Sequence, residues 1–216
     1  KRVVDVHGNW HTPKALCILD DRSRLCCHIQ WYLDETTETL IHGVTQAFHK
    51  RGLPRSLMSD NGSAMTAGEF ESGLLKLGIK HDKTLPYSPY QNGKQESFWG
   101  QLEGRLLAML SNVESLTLEF LNQSTQAWVE QEYNRSIHEE TGQSPLERMM
   151  KGPDVSRPSV NSEILHFYFT SVETRTQRTS DGTLQMKGVR FEVPSRFRHL
   201  KRLSVGYKPW DLSMAY

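Results

Sequence analysis

From Ala15 to Arg135 the chain opens with two short apolar strands and then mixes strands with helix-patterned stretches, and that order limits the folds open to it. Ala15 to Asp20 and Leu25 to Tyr32 are apolar or β-rich runs joined by the polar turn Asp21-Arg22-Ser23-Arg24, so they read as adjacent antiparallel strands. Thr36 to Arg51 sets Leu40, Val44, Ala47 and Phe48 on one helical face and is closed by Gly52 and Pro54. Ser56 to Ser59 is a short strand ending at Asp60. Thr66 to Leu77 reads as a helix stopped by Gly78, followed by a strand near Ile79 to Leu85 and a Pro- and Asn-rich loop, Pro86 to Gly93. Two long helices are expected over about Lys94 to Leu110 and Thr117 to Arg135. The pattern predicts an α/β layered domain.

Beyond Lys151 the texture changes. Gly152 to Ser162, with Pro153 and Pro158, looks like a linker. Ile164 to Thr174, Leu184 to Met186, Val189 to Val193 and Leu203 to Tyr207 are strand candidates, with Asp181-Gly182 as a hairpin-type turn. The expected layout is therefore a core over 1–151, a linker over 152–162 and a small all-β barrel over 163–216, its closing strand not included. The whole chain carries a net charge of +1, yet from Arg157 onward ten basic side chains face five acidic ones. A small basic unit on a mildly acidic larger one suits nucleic-acid binding, although an evenly solvated surface has the same count.

Composition removes other classes. With 37% hydrophobic and 24% charged residues this is an ordinary globular chain. No apolar stretch approaches the roughly 20 residues that span a membrane, and the first residues carry no signal-peptide pattern, so no membrane partner is expected. Cys17, Cys26 and Cys27 are too few and too crowded for a disulfide framework or a Cys-x-x-Cys zinc site, which favours an intracellular setting. Phosphate-loop, dinucleotide and His-Glu-x-x-His motifs are lacking.

Two acids stand out. Asp60 follows an apolar strand and precedes Asn61-Gly62. That triplet is ordinary turn chemistry, but a helix follows, and the carboxyl end of a strand is where open α/β sheets hold ligands. Glu96 sits early in a helix, where an acid also complements the helix dipole. Between the two lie 35 residues.

That spacing, with Asp60-Asn61-Gly62 and then Pro86-Tyr87-x-Pro89-x-x-Asn92-Gly93-Lys94-x-Glu96, resembles the D,D-35-E transposases and retroviral-type integrases. Leu19-Asp20-Asp21-Arg22-Ser23-Arg24, Gly52-Leu53-Pro54, and Tyr133-Asn134 with His138 and Ser144-Pro145 are further similarities. Asp181 to Leu184, Gly188 and Phe191 to Pro194 are similar to the small β-barrel of phage-Mu-type transposases. The resemblance implies a ribonuclease-H-like mixed sheet flanked by helices. It also implies two Mg²⁺ ions, with Mn²⁺ as substitute, held by three carboxylates. Hard cations want oxygen ligands, and two about 4 Å apart can serve an in-line displacement at phosphorus. By resemblance Asp60 is the second acid and Glu96 the third.

The first acid departs from the family pattern. Asp5 lies just before Gly8-Asn9-Trp10 without the family's tryptophan three residues earlier, and reads as part of a hairpin turn. The first acid is expected upstream of Lys1, with Asp20 and Asp21 belonging to a strand end and turn. Lys94, Gln95 and Arg105 are candidate DNA contacts, and Tyr87 and Tyr90 could stack on an unpaired base. His81 and His138 are expected to pack rather than bind metal. The implied partners are double-stranded DNA, at element ends and target, and further copies of the chain assembled on it. The alternative is an inactive or domesticated copy that only binds DNA, and with two of three acids the chain as given is expected to be inactive.

Overall fold

The computed structural model describes residues 1–84 and 93–216. The strands β3 (Lys14–Leu19) and β4 (Cys26–Tyr32) pair antiparallel, as their sequence pattern predicts. A short hairpin precedes them, β1 (Val3–Val4) with β2 (Trp10–His11). Their alternating side chains divide between two apolar layers. Cys17, Cys26 and Ile29 face one, while Leu16 and Ile18 pack against the other.

The second layer is built by α1 (Thr37–Arg51), β5 (Ser56–Ser59), α2 (Gly68–Lys76) and β6 (Lys80–Lys83). Thr36 caps α1 in a reciprocal capping box with Thr39. Along α1, Leu40, Ile41, Val44 and Phe48 are buried against Phe70, Leu74 and Ile79. Strands β5 and β6 run parallel with α2 between them, a βαβ unit. Hydrogen-bonded ladders in this part of the molecule join strands only in pairs, so the expected mixed sheet is present as strand pairs held by shared apolar layers among the described residues.

The first layer is covered by two helices. α3 (Gly93–Gln101) continues through a wider π-helical stretch, Leu102–Leu107. α4 (Leu118–Trp128) does the same through Val129–Tyr133. They bury Phe98, Leu102, Leu106, Leu121, Trp128 and Tyr133 over β3 and β4. What fixes α4 is polar. Among the described residues strand β4 has a strand partner, β3, on one side only, and its other edge would expose unpaired main-chain groups. Asn134 accepts from Cys26 N (2.9 Å) and donates to Cys26 O (3.2 Å). Asn122 does the same for Trp31, at 2.7 and 3.1 Å, and Gln126 donates to Ile29 O at 3.3 Å. Side-chain amides thus stand in for a missing strand.

The stretch read as a linker is pinned. Leu53 N donates to Arg157 O (2.7 Å) and Arg157 N to Leu53 O (3.0 Å). Gly52, at φ +81°, leaves room for this contact, since a Cβ there would lie 2.7 Å from Arg157 O. The strand expected from Ile164 is instead the helix α6 (Ser162–Tyr168), capped by Asn161. Leu165 and Phe169, four residues apart, enter the second layer, and Phe169 occupies the space where Gly73 has no side chain.

Only then do strands resume: β7 (Ser171–Thr176), β8 (Thr183–Met186), β9 (Val189–Glu192), β10 (Arg202–Lys208) and β11 (Asp211–Ala215). They form the sheet β11-β10-β7 and the hairpin β8–β9 around Leu184, Met186, Val193, Val205 and Tyr207. No closed barrel is present among the described residues. The tight hairpin turn is Lys187-Gly188, with φ of 49° and 85°, while Asp181 accepts from Thr183 N in a looser turn.

Two measurements test this account. Asn134→Leu strands Cys26 N and O in the interior, and denaturant unfolding should register a loss of about 2–4 kcal/mol. His28 is 3% exposed, and burial drops its pKa from 6.5 to about 4. The unfolded chain therefore takes up the proton first, so stability should fall as pH drops below about 6.5 and level off near 4. Burial shifts His81, His138 and His166 the same way. His28→Leu should make the decline of the thermal midpoint between pH 7 and 5 visibly shallower.

Candidate functional site

Asp60 stands at the carboxyl end of β5, where the parallel pair β5–β6 opens toward solvent. Its Oδ1 accepts from Gly62 N at 2.9 Å, an Asx turn that fixes the carboxylate. Asn61 donates to Thr84 O at 3.1 Å, and Thr84 N donates to Ser59 O at 2.9 Å, tying the loop to the end of β6. The side chain of Asp60 is exposed and available to a ligand.

Glu96 occupies the first turn of α3 and is exposed, as are Lys94 and Gln95. Lys94 is not free: its Nζ donates to both the carboxylate and the main-chain carbonyl of Asp21. Arg105 lies in the π-helical stretch and pairs with Glu132 at 3.4 Å. Tyr87 and Tyr90 lie outside the described residues, as does the loop that carries them.

Asp5 and Asp20 have structural work. Asp5 accepts from His7 N (2.9 Å), Asn9 N (2.8 Å) and Asn9 Nδ2 (3.1 Å), and meets His11 Nε2 at 2.9 Å. The His11 ring and these amides hold its carboxyl well below the usual carboxylate range. It closes the β1–β2 hairpin, as the sequence suggests. Asp20 accepts from Ser23 N (2.7 Å) and Oγ (2.6 Å). Among the described residues no three His, Cys, Asp or Glu side chains gather into a metal-holding cluster. Carboxylate oxygens such as those of Asp60 and Glu96 are the donor type that a hard divalent cation takes, and among the described residues no set of three is assembled around one.

His81 and His138 pack, as expected. His81 hydrogen-bonds Ser59 Oγ at 2.8 Å and meets the Phe70 ring edge-on, while His138 lies edge-on to Tyr133. Tyr133, Asn134, Ser144 and Pro145, read from the sequence as a family signature, have architectural roles. Tyr133 donates to Arg24 O at 3.1 Å, Asn134 covers the β4 edge, and Ser144-Pro145 starts the helix α5 (Pro145–Lys151) with a capping box to Glu147. Not evident from the sequence is the long-range reach of this cluster, from Tyr133 and Asn134 at the end of the π-helical stretch to Arg24 and Cys26. No helix among the described residues is long and apolar enough to cross a membrane.

Two models described as integrase core domain match the chain, over residues 3–89 and 77–139. An insertion element IS476 uncharacterized 39.2 kDa protein of Xanthomonas euvesicatoria is 30% identical over 49% of this chain and 30% of its own length. A retrovirus-related Pol polyprotein from transposon TNT 1-94 of Nicotiana tabacum is 34% identical over 43% of this chain and 7% of its own. The chain thus spans well under half of either relative. Among solved structures, the catalytic core domain of BIV integrase superposes with a TM-score of 0.54 at 22% identity, covering 70% of this chain and 91% of that one. A simian T-cell lymphotropic virus intasome in complex with PP2A regulatory subunit B56 gamma gives 0.56 at 18%, covering 95% and 69%. The HTLV-2 integrase catalytic core domain in complex with magnesium, in a trimeric form, gives 0.50 at 18%, covering 68% and 89%. The fold is that of integrase catalytic cores, ribonuclease-H-like.

The placement of Asp5 separates it from Asp60 experimentally. Asp5→Asn should speed amide exchange within Val3–His11 while leaving the exchange of β5 and α3 unchanged, because the hydrogen bonds of this carboxylate all go to residues of the hairpin.

Proposed function

We propose that this chain is the core of a DNA transposase or integrase that cuts a phosphodiester at an element end and joins the freed 3′-hydroxyl to target DNA. The observation that carries this is the pair Asp60 and Glu96: two exposed carboxylates, one at a strand's carboxyl end and one in a helix's first turn, with 35 residues between them. Both fall inside the region that matches the integrase core domain. The insertion-element and transposon relatives support DNA recombination as the setting, and the neighbour described with magnesium supports a divalent ion.

In this reading Asp60 and Glu96 would hold Mg²⁺ or Mn²⁺ together with a third acid, a place for which Asp5 is less suited because its carboxylate is already engaged by His7, Asn9 and His11. When bound, the ions supply charge neutralisation at the attacking and leaving oxygens. The chain's own part is placement. The Asx turn at Asp60 presets one carboxylate, and the start of α3 presents the other beside Lys94 and Gln95, which face a phosphodiester. Arg105 contacts the backbone further along the same helix. The basic strands after Arg157 add sequence-tolerant phosphate contacts that weaken steeply with salt. Several copies bridge two DNA ends, and the protein works inside the cell, where that DNA lies.

The test uses the longest reading frame that contains this chain. With Mn²⁺ present it should nick DNA carrying its element ends. Asp60→Asn and Glu96→Gln should each cut that rate by at least about 100-fold while leaving DNA affinity within about twofold, as loss of a metal ligand would. Binding without nicking by the wild type would instead establish the binding-only copy.

A further inference from the structure

The Leu19 to Arg24 motif contributes a turn whose charged side chains the proposed reaction does not use, and they reach into three other parts of the molecule. Arg22 donates to Arg148 O (2.8 Å) and Met149 O (3.4 Å) at the end of α5. It fills the space beside Gly152, where a Cβ would lie 1.8 Å from the guanidinium. Arg24, at φ +67°, turns its own guanidinium back to Asp21 O and pairs with Glu140 at 2.9 Å. Its carbonyl accepts from Tyr133. The turn is therefore braced from behind.

On its open side the turn offers Asp21 to α3. Residues Gly93 to Ser97 are all exposed, and burial begins only at Phe98. Among the described residues, the bond from Lys94 Nζ to Asp21 is the hydrogen bond that side chains of this first turn make to the rest of the protein. We infer that Asp21 is a positioning residue: it fixes the first turn of α3, with Lys94 and Glu96, against the braced β3–β4 turn. Its functional meaning rests on the reading of Glu96 as a metal-holding acid; the contact does not. A second effect follows from charge. While Lys94 is paired with Asp21, a DNA phosphate has to compete for it, so removing the Asp21 carboxylate loosens Glu96 and at the same time frees a cation for DNA.

The two effects have opposite signs, which a merely structural residue would not produce. Amide exchange over residues 93–101, followed in the whole protein without DNA, should rise roughly two- to fivefold in Asp21→Asn and in Lys94→Gln, the range an exposed ion pair can supply. Asp21→Glu should keep the wild-type rate. The double variant should exchange no faster than either single one, and thermal midpoints should not move. Asp21→Asn should also bind a short duplex more tightly at low salt while nicking it more slowly with Mn²⁺. Unchanged exchange over 93–101 in Asp21→Asn, or faster exchange spread over the whole chain, would overturn the assignment. A wild type that never nicks would defeat the proposed function, and the exchange data would still decide the role of Asp21.

Discussion

The architecture depends on how one strand edge is closed. Strand β4 has a ladder partner on one side, and bare main-chain polar groups on the other would have to stay wet or find partners. Helix α4 and its π-helical continuation supply amides at Asn122, Gln126 and Asn134, which meet the strand at Trp31, Ile29 and Cys26. Because these bonds are directional, they set the rotation and the height of the helix on the strand, and apolar contact alone would do neither. Phe98, Trp128 and Tyr133 then fall into one aromatic cluster, with ring centroids 4.8 to 6.4 Å apart.

That alignment propagates to the candidate site. Once Tyr133 and Asn134 are seated, the β3–β4 turn is gripped through Arg24 and Arg22, and the turn in turn receives Lys94. Asp60 is placed by a separate device, the parallel pair β5–β6 and its Asx turn, inside the other apolar layer. The elements that carry the two acids thus belong to two different apolar layers, which the β3–β4 pair joins. Apolar packing sets each layer, and polar turn chemistry sets the final orientation of the residues at the rim.

Local signals made much of this readable in advance. The alternation in Ala15 to Tyr32, the helical face of Leu40 to Phe48 and the Gly52 stop are all short-range patterns, and each element lies where they put it. The strand expected at Ile164 failed because a short apolar run fits either period, and the Asn161 cap and the Leu165–Phe169 spacing decided for helix. How the C-terminal strands close on one another, and that the stretch read as a linker is docked, were not legible for a different reason. Whether strands close on one another, and whether a Pro-rich stretch is docked, depends on distant partners such as Leu53 and Arg157 that no local pattern announces. Within the site, the residue types at Asp60 and Glu96 were evident from spacing. The engagement of Lys94 by Asp21, 73 positions away in sequence, was not.

The seating of Phe169 against Gly73 has a mechanical consequence. Between Arg157, stapled to Leu53, and the cap of α6 lie only Pro158 to Val160, and β7 begins two residues after Phe169. Fully extended, three residues span only about 10 Å. The connection to the C-terminal strands therefore has almost no slack, and behaves less like a rope than like a bracket bolted at two points. Any large swing of those strands would have to start by pulling an aromatic ring out of its seat, so the arc available to them is governed by an apolar bolt rather than by the length of chain.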